Sequence, residues 1–152
     1  MRLITGDHPV TAVVAAGQLG LDTDAGRVMT GPEWELLTGE ERIVAAQKHL
    51  VFARMAPEHK VQVVEALEAA GLVTAMVGDG ANDAAAIRAA TVGVGVVATG
   101  SDPARTAADV MLLGGEIGAF VHALDAGDQL WRRVQSSVSM LVRRDLLRVV
   151  GR

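Results

Sequence analysis

The sequence predicts an α/β fold, a parallel sheet with helices on both faces, followed by one long C-terminal helix. Three observations carry that expectation. Apolar runs of strand length alternate with helical patterns over residues 3–113 of the 152, the rhythm of strands joined by crossover helices. Several runs stop abruptly at turns rich in glycine and aspartate, as LVTAMVGDGAND does at 72–83. From Glu116 the chain changes into one long helical pattern, with apolar positions from Val134 to Leu146 recurring near a spacing of 3.6.

Each element follows from local chemistry. Leu3 and Ile4 read as the tail of a strand that stops at Thr5, Gly6 and Asp7, and Pro9 sits in the first turn of a helix to about Leu19, closed by Gly20. Residues 21–39 are rich in turns, with a short strand near Arg27 to Met29 and a short helix at Pro32 to Leu37. Glu40 to Lys48 is helical in composition, and HLVFA at 49–53 is a buried strand that leaves through Arg54, Met55 and Ala56. Pro57 starts a helix whose Val61, Val64, Leu67 and Leu72 share a face, ended by Gly71. Leu72 to Val77 reads as a wholly buried strand that delivers Asp79 to its carboxyl end. A helix at 84–90, a strand at Val92 to Val97, a turn at 98–100, a helix around Pro103 to Ala107 and a strand at Val110 to Leu113 complete the alternation. The last segment carries six arginines, at 132, 133, 143, 144, 148 and 152, with Val134, Val138, Leu141, Val142 and Leu146 at helical spacing. The expected division is therefore 1–115 for the sheet domain and 116–152 for the helical segment.

Composition narrows the function. With no cysteine, disulfides, thiolate zinc sites and a cysteine nucleophile are excluded. Fourteen basic against 18 acidic side chains give a net charge of -4, which offers no field for nucleic acid. Hydrophobic residues reach 50% and mean hydropathy is +0.30, yet no run approaches the ~18 apolar residues of a membrane span, so a soluble chain is expected. No signal peptide is legible after Met1, and a start inside a strand suggests a truncated piece or a fragment.

The chemistry gathers at one predicted edge. In open parallel sheets, ligands collect where strands end. Thr5 to Asp7, Arg54, Lys60 one turn beyond Pro57, and Asp79 to Asp83 all fall there. They offer a hydroxyl with backbone amides, two cations and two carboxylates, an inventory suited to a phosphoryl group and magnesium. Gly78 and Gly80 would let a ligand approach the backbone beside Asp79, and Asn82 and Asp83 would open the next helix. Two carboxylates so bunched are costly unless a cation shares their charge. Asp22, Thr23 and Asp24 spell the DxD pattern of an aspartyl nucleophile, but follow a helix end rather than a strand and read as a solvated loop. His8, His49, His59 and His122 have no metal-ligand spacing and read as surface or packing histidines, and neither GxSxG nor HExxH occurs.

TGDHPVTA at 5–12, VFARMAPEHK at 51–60, VGDGANDAAAI at 77–87 and GSDPARTAADVMLL at 100–113 stand in the order found in P-type cation-transporting ATPases. On these motifs the chain resembles the phosphorylation domain of that family, within the haloacid-dehalogenase-like superfamily, and its wording is closer to the calcium- and sodium-pump-like branch. The resemblance implies a three-layer Rossmann-like sheet and an ATP-driven cation pump as parent. Thr5, Gly6 and Asp7 would contact phosphates, Arg54 would lie near ATP, and Lys60 would stabilise the transferring phosphoryl group. Asp79 would bind Mg2+, Asp83 would support it, and Asn82 would contact phosphate oxygens. The segment after Glu116 would lead to the membrane stalk, placing this portion on the cytoplasmic side of a cell membrane.

The departures matter as much. The family's DKTGT segment, whose aspartate is phosphorylated, does not occur in these 152 residues, nor do the nucleotide-binding domain, the actuator TGE loop or the transmembrane helices, which become the implied partners. Ala85 stands for a usual proline, Thr91 for an aspartate, and Gly114 with Gly115 for an acidic pair, changes expected to loosen a helix start and the last strand's exit. Without an attacking carboxylate, this stretch alone should not autophosphorylate. The nucleophile strand is central in the family sheet, so its absence would leave neighbouring edges open to pairing. Two other readings compete: a stand-alone phosphatase of the same superfamily using Asp22 or another aspartate, and a non-catalytic module binding a partner through the sheet edge or, through the arginine-rich tail, anionic lipid at roughly 1 kcal/mol per arginine.

Overall fold

The computed structural model describes residues 1–24, 27–97, 102–113 and 117–150. In order these form β1 (Leu3–Ile4), α1 (Pro9–Gln18), β2 (Val28–Thr30), α2 (Gly31–Glu35), α3 (Gly39–Lys48), β3 (Val51–Ala53) and α4 (Pro57–Ala69). There follow β4 (Ala75–Gly78), α5 (Ala84–Ala89), β5 (Val92–Val97), α6 (Asp102–Ala107), β6 (Val110–Leu113) and α7 (Ile117–Val150). The expected turn at 98–100, Gly114, Gly115, Arg152 and the side chains of Leu141, Val142, Arg143, Arg144, Leu146 and Arg148 lie outside the described residues. The chain divides into two compact units, Met1–Gly114 and Gly115–Arg152.

In the first unit the alternation of strand and helix is as expected and every strand pair is parallel, but the strands form two sheets instead of one. Their orders are β1-β3-β2 and β4-β5-β6. β3 is the spine of the first sheet because all three of its side chains are fully buried, alternating between two cores. Phe52 faces Trp34, Ala46, Val63 and Leu67 from α2, α3 and α4 and Met55 from the loop after β3, whereas Val51 and Ala53 face Ala12 and Ala16 of α1. Helices therefore cover both faces.

The break between the sheets has a backbone signature. Leu3 and Thr5 donate to the carbonyls of Leu50 and Phe52, so the peptide groups of Ile4 lie on the outer side of β1. Val92 donates to the Thr74 carbonyl, which puts Thr74, Met76 and Gly78 toward β5 and leaves Ala75 and Val77 on the outer side of β4. Among the described residues, β1 and β4 each pair on one side only.

This corrects the reading of residues 72–77 as a wholly buried strand. β4 begins only at Ala75 and is half-buried, while Val73 is 82% exposed and Leu72 43%. An apolar run in a parallel sheet is built to be covered on both faces, and among the described residues β4 has a neighbouring strand on one side only. The buried face of α4 is also wider than expected. Val63, Val64, Ala66 and Leu67 are buried together with His59, and Val61 is only partly covered.

The end of α4 is tied to the second sheet by one carboxylate. Glu68 Oε1 accepts the Thr74 hydroxyl at 2.6 Å and the Thr91 hydroxyl and N–H, both at 2.7 Å. These donors, Thr74 first, hold the Glu68 carboxyl below its ordinary range. Thr91, where the family pattern has an aspartate, is thus a donor to Glu68. A second carboxylate at that position would repel it.

In the second unit, α7 is an amphipathic helix whose described side chains are exposed. Val121, Leu124, Trp131, Val134 and Val138 are among its exposed apolar residues, and an Asp128–Arg132 pair at 2.6 Å spans one turn. No helix among the described residues is long and apolar enough to cross a membrane.

Candidate functional site

Three loops leaving parallel strands at their carboxyl ends carry the predicted residues. After β1, the Thr5 hydroxyl oxygen accepts the Asp7 N–H at 3.1 Å, which closes a tight turn and leaves the hydroxyl proton available for donation. That turn is fastened to the loop after β3: Arg54 N–H donates to the Asp7 carbonyl at 2.9 Å and Met55 N–H to the Thr5 carbonyl at 3.0 Å. Thr5, Gly6, Asp7 and Arg54 thus form one joined surface. Gly6, Asp7 and Arg54 are exposed on it.

Lys60, in the first turn of α4, reaches the third loop. Its Nζ donates to Asp83 Oδ1 at 2.6 Å, with side chains only 13% and 14% exposed. Asp83 occupies the cap position of α5 but makes no side-chain cap bond, because its carboxylate is turned back toward Lys60. Gly78 makes the room for this. A Cβ there would lie 2.6 Å from Asp83 Cβ and 3.0 Å from its Cγ and Oδ2. The glycine was expected to clear space for a ligand; it clears space for Asp83. Around Gly80 a Cβ would meet only ordinary contacts within the chain, the nearest at 3.9 Å. Asp79 and Asn82 are exposed on the same loop.

The donor set suits one hard cation. Mg2+ takes one or two carboxylates and completes its shell with water or phosphate oxygens. Asp79 is exposed and Asp83 retains Oδ2 beyond its bond to Lys60; among the described residues no cluster of three His, Cys, Asp or Glu forms a full protein cage. A bound magnesium would therefore draw its remaining ligands from outside these side chains.

Asp22 lies elsewhere. The 22–24 segment precedes β2, hence at the amino-terminal edge of a parallel sheet, and Asp22 accepts the Asp24 N–H and pairs with Arg27 Nε at 3.0 Å. A hollow of about 450 Å3 lined by Met29, Leu37, Val44, Ala45, Lys48 and His49 also borders the entry to β3 rather than Lys60.

His59, expected as a surface or packing histidine, is a packed one with two polar contacts. It is 8% exposed, Ala56 N–H donates to its Nδ1 at 3.2 Å, and its Nε2 lies 3.0 Å from Glu35 Oε1. The available signal was its place three residues after a helix cap, where Glu or Gln commonly accepts the cap's N–H.

A family model described as haloacid dehalogenase-like hydrolase matches residues 1–91. Over 140 residues the chain is 54% identical to the probable cation-transporting ATPase I of Mycobacterium tuberculosis, covering 92% of this chain and 9% of that protein. It is 40% identical over 141 residues to calcium-transporting ATPase 1 of Bacillus cereus, covering 92% of this chain and 16% of that one. Against the human calcium-transporting ATPase type 2C member 1, identity is 33% over 138 residues, with 91% and 15% covered. The chain thus spans a small part of the length of these curated relatives. Among solved structures, the catalytic domain of the CPx-ATPase CopB-B shares the fold, with a TM-score of 0.58 and 24% identity over 79% of this chain and 36% of that one.

Proposed function

The chain belongs to the haloacid dehalogenase-like hydrolase family, with P-type cation-transporting ATPases as its relatives, and from that membership we propose that it is part of a pump's phosphorylation domain, holding magnesium and phosphate oxygens for an aspartyl-phosphate formed on another segment. One observation carries the proposal. The 2.6 Å bond from Lys60 to Asp83 joins segments 23 residues apart, so a cation for a phosphoryl group and carboxylates for a metal meet at one edge.

Haloacid dehalogenase-like hydrolases and P-type ATPases generally use Mg2+ and ATP. In this chain Asp79 would be the magnesium ligand and Asp83 its support, and the bound ion would offset carboxylate charge and polarise phosphoryl oxygens. The protein's own groups would do the rest. Lys60 would stabilise the transferring phosphoryl group, while the Thr5 hydroxyl, the amide of Gly6 and Asn82 would orient nonbridging oxygens. Arg54, exposed on the adjoining loop, would face the nucleotide. Asp7, Asp79 and Asp83 against Arg54 and Lys60 leave one net negative charge, so a divalent cation turns the edge attractive to phosphate.

The open outer sides of β1 and β4 support a place for the strand that carries DKTGT, between the two sheets. That strand, the nucleotide-binding and actuator domains and the membrane helices would be this chain's partners, with this portion on the cytoplasmic side.

Nuclear magnetic resonance of the 152-residue chain titrated with MgCl2 tests the proposal. Amide shifts should concentrate in 79–83, disappear in Asp79→Asn, and be joined by shifts at Ile4, Ala75 and Val77 when a peptide of apolar strand formers ending in DKTGT is added. ATP should leave no acid-stable phosphoenzyme on the chain alone. A phosphorylated aspartate among these residues, or magnesium shifts indifferent to Asp79→Asn, would overturn the reading.

A further inference from the structure

Arg54 is held in a conformation that ordinary side chains avoid. Its φ is +53°, and among the described residues it is the non-glycine with a positive φ. Such a backbone is strained and persists only where its surroundings over-determine it. Two of the restraints come from the Thr5–Asp7 turn, through the bonds to Asp7 and Thr5 carbonyls. The others come from α2 and α4.

Gly31, the first residue of α2, lies against the Arg54 peptide. A Cβ on Gly31 would sit 2.2 Å from the Arg54 carbonyl oxygen and 3.2 Å from His59 Nδ1, so only glycine allows the approach. His59 then takes up the chain two residues beyond Arg54. Because Nδ1 accepts the Ala56 N–H, the ring proton lies on Nε2, which donates to Glu35. The backbone at Glu35 is anchored, since its neighbour Trp34 is fully buried edge-on to Phe52 at 5.9 Å. Trp34 Nε1 also donates to Gln62 Oε1 on α4 at 2.9 Å. α2 is therefore fastened to α4 at His59 and at Gln62.

We propose that His59, fixed by Glu35 and backed by Gly31, is a positioning residue that keeps Arg54 in its left-handed conformation and so sets Arg54 and Lys60 in register with the Thr5–Asp7 turn. The inference rests on reading that edge as the phosphoryl site. It adds to that reading a device distant from the reacting groups. The sequence PEHK carries the device, with His59 directly before Lys60.

The test uses the whole chain and reads Arg54 directly, through its amide, Cα and Cβ chemical shifts and its N–H to Hα coupling. His59→Ala should return Arg54 toward negative φ and shift Lys60. His59→Asn, whose amide oxygen can stand where Nδ1 stood, should restore the wild-type Arg54 signature, a rescue that a merely space-filling role would not produce. Should His59→Ala fail to fold, Glu35→Ala serves, because Glu35 is mostly exposed and its loss frees Nε2. It should move the Arg54 and Lys60 signals and leave those of α6 unchanged. With MgCl2 present, inorganic phosphate should bind at least about tenfold more weakly to the displaced variants, as small misplacements of positioning groups do. An Arg54 that keeps its positive φ in both alanine variants overturns the proposal. Failure of magnesium and phosphate to bind the wild type, with Arg54 moving as expected, upholds the clamp and overturns the reading of the edge instead.

Discussion

Replacing Lys60 with methionine should do two opposite things at once. Lys60 Nζ lies 2.6 Å from Asp83 Oδ1 with both side chains largely covered. At an effective dielectric of about 20, charges that close attract by roughly 6 kcal/mol. Most of that repays desolvation, and hydrogen bonds to charged groups net about 1.5–3 kcal/mol. Methionine keeps the apolar stem, so Lys60→Met should cost about 2 kcal/mol, and a cycle with Asp83→Asn should return a coupling of similar size. The same change takes the lysine away from Asp83, so magnesium should bind Lys60→Met more tightly than wild type. Each tenfold gain in affinity adds about 1.4 kcal/mol of stabilisation at saturating ion. Urea unfolding of the four proteins of the cycle, with MgCl2 and with NaCl of equal ionic strength, measures both effects. A coupling below about 0.5 kcal/mol, or equal magnesium stabilisation of wild type and Lys60→Met, refutes the argument that lysine and metal compete for Asp83.

Two further outcomes follow from individual contacts. Gly78→Ala puts a Cβ 2.6 Å from that of Asp83, so Asp83 must swing out; the cost should be about 1–3 kcal/mol, and the Lys60–Asp83 coupling should vanish in that background. Unchanged coupling would show that Asp83 does not lean on Gly78. At Glu68 the folded carboxyl is lowered by Thr74 and Thr91, so its stabilisation is present above the ordinary value of 4.5 and is lost as pH falls through the lower folded value. Glu68→Gln should therefore flatten the acid limb of a stability profile between neutral pH and pH 3, and an acid limb identical to wild type would rule Glu68 out.

The sequence was most readable where chain geometry is set locally. Pro57 and Gly71 bracket α4 to within two residues, and VGVGVV at 92–97 was read with both its bounds. Lys60 and Asp83 were each recognisable as candidates, but their bond was not, because nothing in a linear pattern says which cation a carboxylate turned from its own helix will meet. The exposure of Val73 was hidden for a similar reason. Its apolar neighbours prescribe a covered strand, and whether cover exists depends on a neighbour outside the pattern. His59 escaped because a histidine between Glu58 and Lys60 looks like a member of a solvated face, whereas the cap of α4 and the reach of Glu35 draw it inward.

The two separate sheets also differ in how far the chain must travel to close them. Leu3 meets Val51 across 48 positions, whereas Ala75 meets Val92 across 17 and Val94 meets Val110 across 16. Loop-closure entropy grows with the logarithm of length, so the first pairing begins about 0.9 kcal/mol behind the second. Local pairings also assemble faster than distant ones. The GDGAND half can thus form early as a template, and Lys60, at the head of the helix that links the sheets, secures the slower half to it when β1 arrives.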